Sequence, residues 1–509
     1  MKLNYKRTFF AGTAFFLICA FWQAYDNTIP LALTNKFGMS QGWSGFIMAL
    51  DNILALILLP LFGAISDKTE TRLGKRTPFI IVGTCLAIIS FIILGAVDKM
   101  QLRSIEKYTD IDNEKVLEEI YDRVENEKLV SSSGKTFVLN EEIEKEAFIQ
   151  LRSTAQGTDE QFMDYVIPAR RMVIHRLTSV QPGNLIIFMV FLLLTLVSMS
   201  IFRSPAVALM PDITIKPLRS KANAVINLMG AAGGVIVLIL GIVFKTSHLS
   251  NMMMPYLAYY LSVAALMAIA LLIFMTTVHE NKFVAEMNSM SEKYQIKEAQ
   301  ENGETGRLQS EKKRSLVFLL LSIILWFMGY NSVTSKYSVY AVTVLRKNFN
   351  LTLIIAQAAA IVSYLPVGII ASRIGRKKTI LCGVGLLTLS FFLAAFMTDE
   401  SSGLFMNIIF ALAGIAWATI NVNSFPMVVE MCSGADVGRY TGIYYTASMA
   451  AQILTPIFSG ILMDHLGLRI LFPYAVVFAG ASFFTMLFVK HGDSKPQPIK
   501  GIEALGELE

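Results

Sequence analysis

Charge is scarce in this sequence: Asp, Glu, Lys and Arg make up 16% of its 509 residues, against about 25% in an ordinary soluble domain. Several enzyme signatures are missing as well. No Gly-x-x-x-x-Gly-Lys-Ser/Thr loop is present, which excludes a P-loop ATPase engine, and neither a metal-type Cys/His cluster nor a nucleophile elbow occurs. The chain is therefore expected to be no enzyme and to need no cofactor and no metal. Its energy must come from an ion gradient or from the gradient of whatever it handles. Cysteine is sparse. Cys19, Cys85, Cys382 and Cys432 all fall in or beside apolar runs and none in the long polar stretch 98–183, so no disulfide framework is expected. The basic start, Met1 to Arg7, precedes an apolar run, but that run lacks a small-residue cleavage site and carries Gln23 and Asp26. It reads as a retained span, not as a secretory signal.

What the chain has in abundance is apolar residues, 54% of the total, gathered in blocks of about the 20 residues an α-helix needs to cross a ~30 Å hydrocarbon core. Between two such blocks, Phe46 to Ile65 and Phe79 to Val97, lies the loop Gly63-Ala-Ile-Ser-Asp67-Lys-Thr-Glu-Thr-Arg72-Leu-Gly74-Lys-Arg76-Thr-Pro78-Phe79. Its Lys and Arg residues place it on the cytoplasmic face. The net charge of +6 thus reports orientation and not nucleic-acid binding, because the bases sit in short loops between spans. Continuing the count gives twelve helices. Helix 1 covers about Thr8 to Leu33, helix 4 Asn184 to Met210, helix 5 ends near Phe244, and helix 6 covers Pro255 to Val278. Helix 7 covers Leu316 to Val342, helix 8 Leu353 to Ala371, helix 9 Thr379 to Met397, helix 10 Leu404 to Val429, helix 11 Tyr440 to Met463 and helix 12 Ile470 to Val489. Both termini are then cytoplasmic.

A second basic loop, Gly368-Ile-Ile-Ala-Ser372-Arg373-Ile-Gly375-Arg376-Lys377-Lys378, repeats the first. The two loops are 305 positions apart (Gly63 to Gly368), whereas Pro205 and Pro426 are 221 apart and Arg219 and Arg439 220 apart. The difference, 305 − 221 = 84, is the length of an insertion between helices 3 and 4, where the polar stretch lies. Ile-Glu-Lys-Tyr, Val-Leu-Glu-Glu-Ile-Tyr and Phe-Met-Asp-Tyr-Val-Ile segments there have helical spacing and predict a small helical cap on the outer face. The expected organisation is an N-terminal six-helix bundle (1–278, containing the insertion 98–183), a cytoplasmic central loop (279–314), a C-terminal six-helix bundle (315–490) and a cytoplasmic tail (491–509).

Ionisable residues inside spans are unfavourable and point to function or to pairing. Asp26 in helix 1 and Asp51 in helix 2, the latter followed by Asn52, lie at similar depth outward of the midplane, by the ~1.5 Å rise per residue. Two close carboxylates share a proton or coordinate a cation; the plainer alternatives are an acid lining an aqueous vestibule or one paired with a base. Lys336 in helix 7 either pairs with Asp26 or Asp51 across the halves or snorkels outward. Arg203 and Asp212 near the inner end of helix 4, with Arg219 opening helix 5, suit an inner-interface ion pair, although Arg203 also suits a substrate hydroxyl. With Gly63, Asp67, Arg72, Arg76, Arg373, Arg376, Glu430, Arg439 and Lys336 they form the gating set. A sugar needs an aromatic face for its apolar side and amides for its hydroxyls. The candidates are Trp22, Gln23, Tyr25, Trp326, Tyr330, Asn331, Gln357, Tyr364, Trp417, Asn421, Asn423 and Tyr444; helix–helix hydrogen bonding is the alternative for each amide.

The paired Gly-x-x-x-Asp/Ser-base-x-Gly-base loops resemble the signature loop of the major facilitator superfamily. Within it, Ser66-Asp67 through Gly74-Lys-Arg76-Thr-Pro78-Phe79-Ile80 resembles the helix 2–3 loop of sucrose-type transporters. The helix 4–5 stretch, with Pro205, Ala208, Leu209, Pro211, Asp212, Arg219, Ala222 and Asn223, is similar to that group and to the glycoside–pentoside–hexuronide:cation symporters, as is Trp417-Ala-Thr-Ile-Asn421 to Pro426. The resemblance covers both halves but not the insertion or the tail. It implies an all-α membrane protein of twelve helices in two pseudo-symmetric six-helix bundles, working by alternating access around a midplane site. It also implies cation-coupled uptake of a disaccharide or glycoside, with helix 1 and 2 carboxylates serving the cation (H⁺ or Na⁺). The melibiose-type branch carries a second Asp one turn into helix 2, where this chain has Ala55; this departure favours protons. Asp67 is expected against the positive start of helix 11, with a weaker mirror lock at Ser372. A monomer in the plasma membrane lipid bilayer is expected. The rival readings are a superfamily transporter of a drug, lipid or organic anion, and a non-transporting sensor that uses the insertion as its binding domain.

Overall fold

The computed structural model describes residues 3–131, 135–151, 161–215, 218–247, 252–293, 310–429, 431 and 437–492. Among these, eleven helices are long and apolar enough to cross a membrane. Helix 1 is Thr13–Asn35, continued at its start by Tyr5–Ala11. Helix 2 is Gln41–Lys68, helix 3 Thr77–Ser104, helix 4 Gly183–Ile213, helix 5 Arg219–Val243 and helix 6 Leu257–Thr277. In the second half, helix 7 is Ser310–Tyr340, helix 9 Arg376–Ala395, helix 10 Gly403–Val429, helix 11 Val437–Leu466 and helix 12 Leu471–Leu487. Helix 8, Phe349–Ile374, contributes the apolar run Phe349–Tyr364 and completes the twelve.

Local chemistry sets the element ends. Gly38 takes φ +68°, which a side chain rarely tolerates, and turns the chain between helices 1 and 2. Ser40 then caps helix 2, its Oγ accepting from the Trp43 N–H at 3.2 Å. Helix 3 is started by a distant residue. Glu280, buried in the segment after helix 6, accepts from the backbone N–H groups of Lys75, Arg76 and Thr77 at 2.7, 2.9 and 2.8 Å. A carboxylate is favourable there because the N–H groups of a helix start have no partner of their own.

Helix 3 runs on to Ser104, past the Val97 expected from hydropathy. The polar residues that ended the apolar run are internally satisfied. Asp98 is fully buried and accepts from Lys36 Nζ at 2.6 Å and from the Tyr256 N–H at 2.8 Å. Lys36, equally buried, also donates to the Met254 carbonyl at 2.8 Å and lies 3.5 Å from the Tyr256 ring centroid.

The insertion is not purely helical. Besides helices Glu114–Val124 and Ile167–Val180, it holds an antiparallel pair of strands, Lys128–Val130 and Thr136–Val138, in the register Leu129 opposite Phe137. The helical-spacing signal missed these short strands. Their Leu129 and Phe137 close the insertion's core with Leu117, Ile120 and Phe148, and this core is continuous with that of helices 7 to 12. A separate core fills helices 1 to 6.

The two halves meet along helices 2 and 11, with smaller seams between helices 5 and 8 and helices 1 and 7. Glycines permit the closest approach. A Cβ on Gly45 would overlap the Pro456 backbone, and one on Gly460 would overlap the Gln41 carbonyl.

Removing one partner of a fully buried ion pair leaves an unbalanced charge, a loss of about 3–5 kcal/mol. Asp98→Ala is therefore expected to lower the melting temperature of the detergent-purified protein markedly. The double substitution Lys36→Met/Asp98→Leu should recover most of the loss. Equal melting of the single and double variants would contradict this.

Candidate central cavity and the seam that closes it

Two adjoining cavities lie between the halves, of about 180 and 440 Å³. Asp26 and Thr334 line both, and together they fall in the roughly 300–1,000 Å³ range of small-molecule sites. The smaller one is strongly polar. Helices 1, 2 and 4 supply Asp26, Asp51, Asn52 and Arg203, and helices 7 and 11 supply Asn331, Thr334, Ser335 and Gln452. Asn52 Nδ2 donates to Asp51 Oδ1 at 2.7 Å. The Arg203 guanidinium lies 5.5 Å from the Trp22 ring. Two carboxylates and one guanidinium thus surround one small polar space, in the middle of spans where water is otherwise excluded.

The larger cavity is mostly apolar and aromatic. Tyr330 and Trp417 stack nearly parallel, centroids 3.6 Å apart, and Phe327 meets the Trp417 ring edge-on at 5.2 Å. Tyr364, Gln23, Gln357, Asn27 and Asn227 add polar groups to its wall. Gln357 Nε2 donates to Gln23 Oε1 at 3.0 Å, joining the halves across the cavity. A Cβ at Gly234 would sit in ordinary contact, 3.4 Å, with both amides.

Of the residues singled out from sequence, Trp22, Gln23, Asp26, Asp51, Asn52, Arg203, Tyr330, Asn331, Gln357, Tyr364 and Trp417 converge on these cavities. Five others do not. Tyr25 is fully buried in the first-half core against Phe21, and Trp326 in the second-half core. Asn421 lines neither cavity, Asn423 Nδ2 donates to its own helix at the Thr419 carbonyl, 2.9 Å, and the Tyr444 hydroxyl pairs with Ser424 Oγ at 3.0 Å. Bonding within or between helices claims the Asn423 amide and the Tyr444 hydroxyl. Gln452, Thr334, Ser335 and Asn27 were not among the sequence candidates. A mid-span amide marks Gln452 by the same reasoning that found Gln357; the hydroxyls of Thr334 and Ser335 carry no such signal.

The gating set is redistributed. Arg203 belongs to the central cavity and not to an ion pair at the helix end. Lys336 is fully buried and pairs with neither Asp26 nor Asp51: its Nζ donates to the Gln41 carbonyl at 2.8 Å, across the seam. Beside it Asp464, at the end of helix 11, accepts from the Gln41 and Gly42 N–H groups, both at 2.6 Å. An acid thus sits on the positive start of helix 2, and Asn350 Nδ2 donates to Thr246 Oγ1 at 3.1 Å farther along the same face. The halves are closed at the face that carries the insertion.

At the opposite face Asp67 pairs with Arg76 of its own half, not with helix 11. Arg76 also donates to Asp212 Oδ2 at 2.8 Å and to Ser66 Oγ at 2.5 Å. Burial works against its charge, but the bonds to Asp212 and Asp67 raise its pKa above the ordinary arginine value. Gly63 allows helix 2 to approach Ser204, whose Oγ would lie 2.9 Å from a Cβ there. Arg72 is exposed and Arg376 buried; Arg373 is exposed. Glu430 and the side chains of Arg219, Ser372 and Arg439 lie outside the described residues.

The chain is also similar to known proteins. Residues 347–506 match the Major Facilitator Superfamily family model, and residues 11–101 match that of the MFS/sugar transport proteins. The chain is similar to "Sucrose transport protein SUC3" of Arabidopsis thaliana, 40% identical over 58 residues, 11% of this chain and 10% of that protein. It is also similar to "Putative glycoside/cation symporter YagG" of Escherichia coli (strain K12), 35% identical over 66 residues, 13% of this chain and 14% of that protein. The matched stretches thus span about a tenth to a seventh of these relatives. In fold the chain is similar to the inward-open xylose transporter XylE from E. coli, with a TM-score of 0.59, 13% identity and 99% of each chain covered. A D-xylose-proton symporter gives a TM-score of 0.58 at 14% identity, covering 96% of this chain and 99% of that one.

The seam yields a test. Gly183 and Gly403 lie on the closed face, one in each half, with nothing within 4 Å of a Cβ. Spin labels at Gly183→Cys and Gly403→Cys, with the native cysteines replaced, report the separation there. Gly45→Leu, which cannot fit against Pro456, is expected to lengthen the main distance. An unchanged distribution would show that the helix 2–11 contact does not hold the face shut.

Proposed function

We propose that the chain is a secondary transporter of the major facilitator superfamily that takes up a sugar, a disaccharide or glycoside, together with a cation, by alternating access. The observation that carries this reading is the shared polar cavity of Asp26, Asp51 and Arg203 opening onto the Tyr330–Trp417 aromatic wall. Sugars present alternating hydroxyl edges and apolar faces. Asn331, Gln357, Gln23 and Gln452 suit the hydroxyls, and the Trp417 and Tyr330 rings suit the faces.

Charge counting supports the coupling. With both acids ionised, Asp26, Asp51 and Arg203 leave the cavity one negative charge in excess. A net charge held among apolar spans is unfavourable. One bound cation brings the cavity to neutrality, and rocking of the halves is then easiest when loaded. This argues for one cation per cycle, with Asp26 and Asp51 holding it and Asn52 fixing the Asp51 carboxylate. Ala55, in place of a second helix 2 acid, favours a proton.

With the basic loops on the cytoplasmic side, the insertion face is extracellular and the closed seam is the outer gate. Opening it requires Lys336 to release the Gln41 carbonyl and Asp464 to release the start of helix 2. The Asp67–Arg76–Asp212 cluster then belongs to the inner gate.

Flux into proteoliposomes, with a panel of disaccharides and glycosides under separate proton and sodium gradients, tests the reading. A saturable, ionophore-sensitive uptake is expected. Asp26→Asn should abolish accumulation while leaving sugar exchange across the membrane. Accumulation that survives Asp26→Asn removes the coupling role; no sugar uptake under any gradient removes the substrate class. Trp417→Ala is expected to weaken binding of the transported sugar about tenfold, ~1.4 kcal/mol, as read by calorimetry.

A further inference from the structure

Above the closed seam lies a third cavity, of about 810 Å³, separate from the central one. The segment 38–43, which leads into helix 2, forms its floor, the insertion's strand Lys128–Val130 and helix Ile167–Val180 one side, and the residues just beyond helix 7 and at the end of helix 11 the other. The insertion is seated firmly on the floor: a Cβ at Gly38 would come within 2.5 Å of the His175 backbone nitrogen.

Basic side chains outnumber acids in this cavity. Lys128 and Arg171, with the imidazoles of His175 and His465, line it against a single acid, Asp464. That acid is already engaged by the Gln41 and Gly42 N–H groups. Arg171 Nε is shut off from solvent and has no hydrogen-bond partner among the described residues. Burial lowers the Arg171 pKa, and Asp464 compensates for this only in part. A buried guanidinium nitrogen left without a partner is unfavourable, and the fork geometry of the group matches a carboxylate or a phosphate. Much of the remaining wall is methionine, Met163, Met172 and Met463 among them, a soft surface that adapts to varied apolar groups.

We propose that this cavity is a second ligand site, for an amphipathic anion whose carboxylate or phosphate pairs with Arg171 and whose apolar part rests on the methionines. Because its walls belong to both halves and to the insertion, a bound anion bridges them and holds the seam closed. The site does not depend on what the central cavity carries. A free organic acid and an anionic lipid share the required chemistry, and the test separates them.

Full-length protein in phosphatidylcholine nanodiscs is titrated by calorimetry with phenylacetate and phenyl phosphate, with phenylethanol as the uncharged counterpart. Saturable binding of the anions and none of phenylethanol is expected. Arg171→Ala should weaken binding at least tenfold, Arg171→Lys less, and Met163→Trp should block it by filling the cavity while leaving the guanidinium. The Met163→Trp comparison decides the matter if Arg171→Ala fails to fold, as judged by elution profile and melting. If the anions do not bind but phosphatidylglycerol co-purifies in an Arg171-dependent way, by lipid mass spectrometry, the occupant is a lipid and the site stands. Equal anion binding by the wild type and both the Arg171→Ala and Met163→Trp variants overturns the proposal, as does the absence of both anion binding and retained lipid.

Discussion

A charge placed among packed apolar helices must be solvated by the protein itself, and this constraint organises the molecule. The chain meets it in three ways. Lys36 and Asp98 satisfy each other and two backbone groups, and they are structural. Lys336 and Asp464 are satisfied by backbone groups of the opposite half, so their solvation is also a bond between halves. Asp26, Asp51 and Arg203 are left around a cavity, where solvation can come from what enters. The first arrangement fixes the fold, the second reports which face is closed, and the third is where chemistry with a ligand can occur.

The seam shows how backbone and side chain cooperate. The glycines at positions 42, 45 and 460 bring helices 2 and 11 so close that the start of helix 2 is presented to Asp464. The unpaired N–H groups of that start attract an acid, and the adjacent Gln41 carbonyl receives Lys336. Such contacts can be exchanged for water when the face opens, because each partner is a group that water also satisfies. An apolar seam of equal area would not let go as readily. The insertion rests on this seam from above through the turn at Gly38, and so its position is tied to whether the seam is closed.

Much of the architecture was legible in the residue order. Twenty-residue apolar blocks admit few structures besides spanning helices, and the paired basic loops, with the 84-residue mismatch in spacing, located the insertion. Mid-span acids were legible for the same reason: they are too unfavourable in hydrocarbon to be incidental. The reading erred where a polar group had a hidden partner. Asp98 suggested the end of helix 3 because Lys36, 62 positions earlier, could not be seen to neutralise it. Glu280 gave no sign of capping helix 3 from across the fold.

Sequence by itself therefore determined the number and course of the helices, the duplication, and which charges needed an explanation, since each follows from the cost of exposing polar groups to lipid over a short stretch of chain. Tertiary structure alone decided which face of each helix met the cavity. A side chain's direction turns by about 100° per residue, so Tyr25 lies in a core while its neighbour Asp26 lines the site. The surroundings of Lys336 and Arg203, and the unpartnered Nε of Arg171, likewise rest on contacts between segments far apart in the chain, which no local pattern of residues encodes.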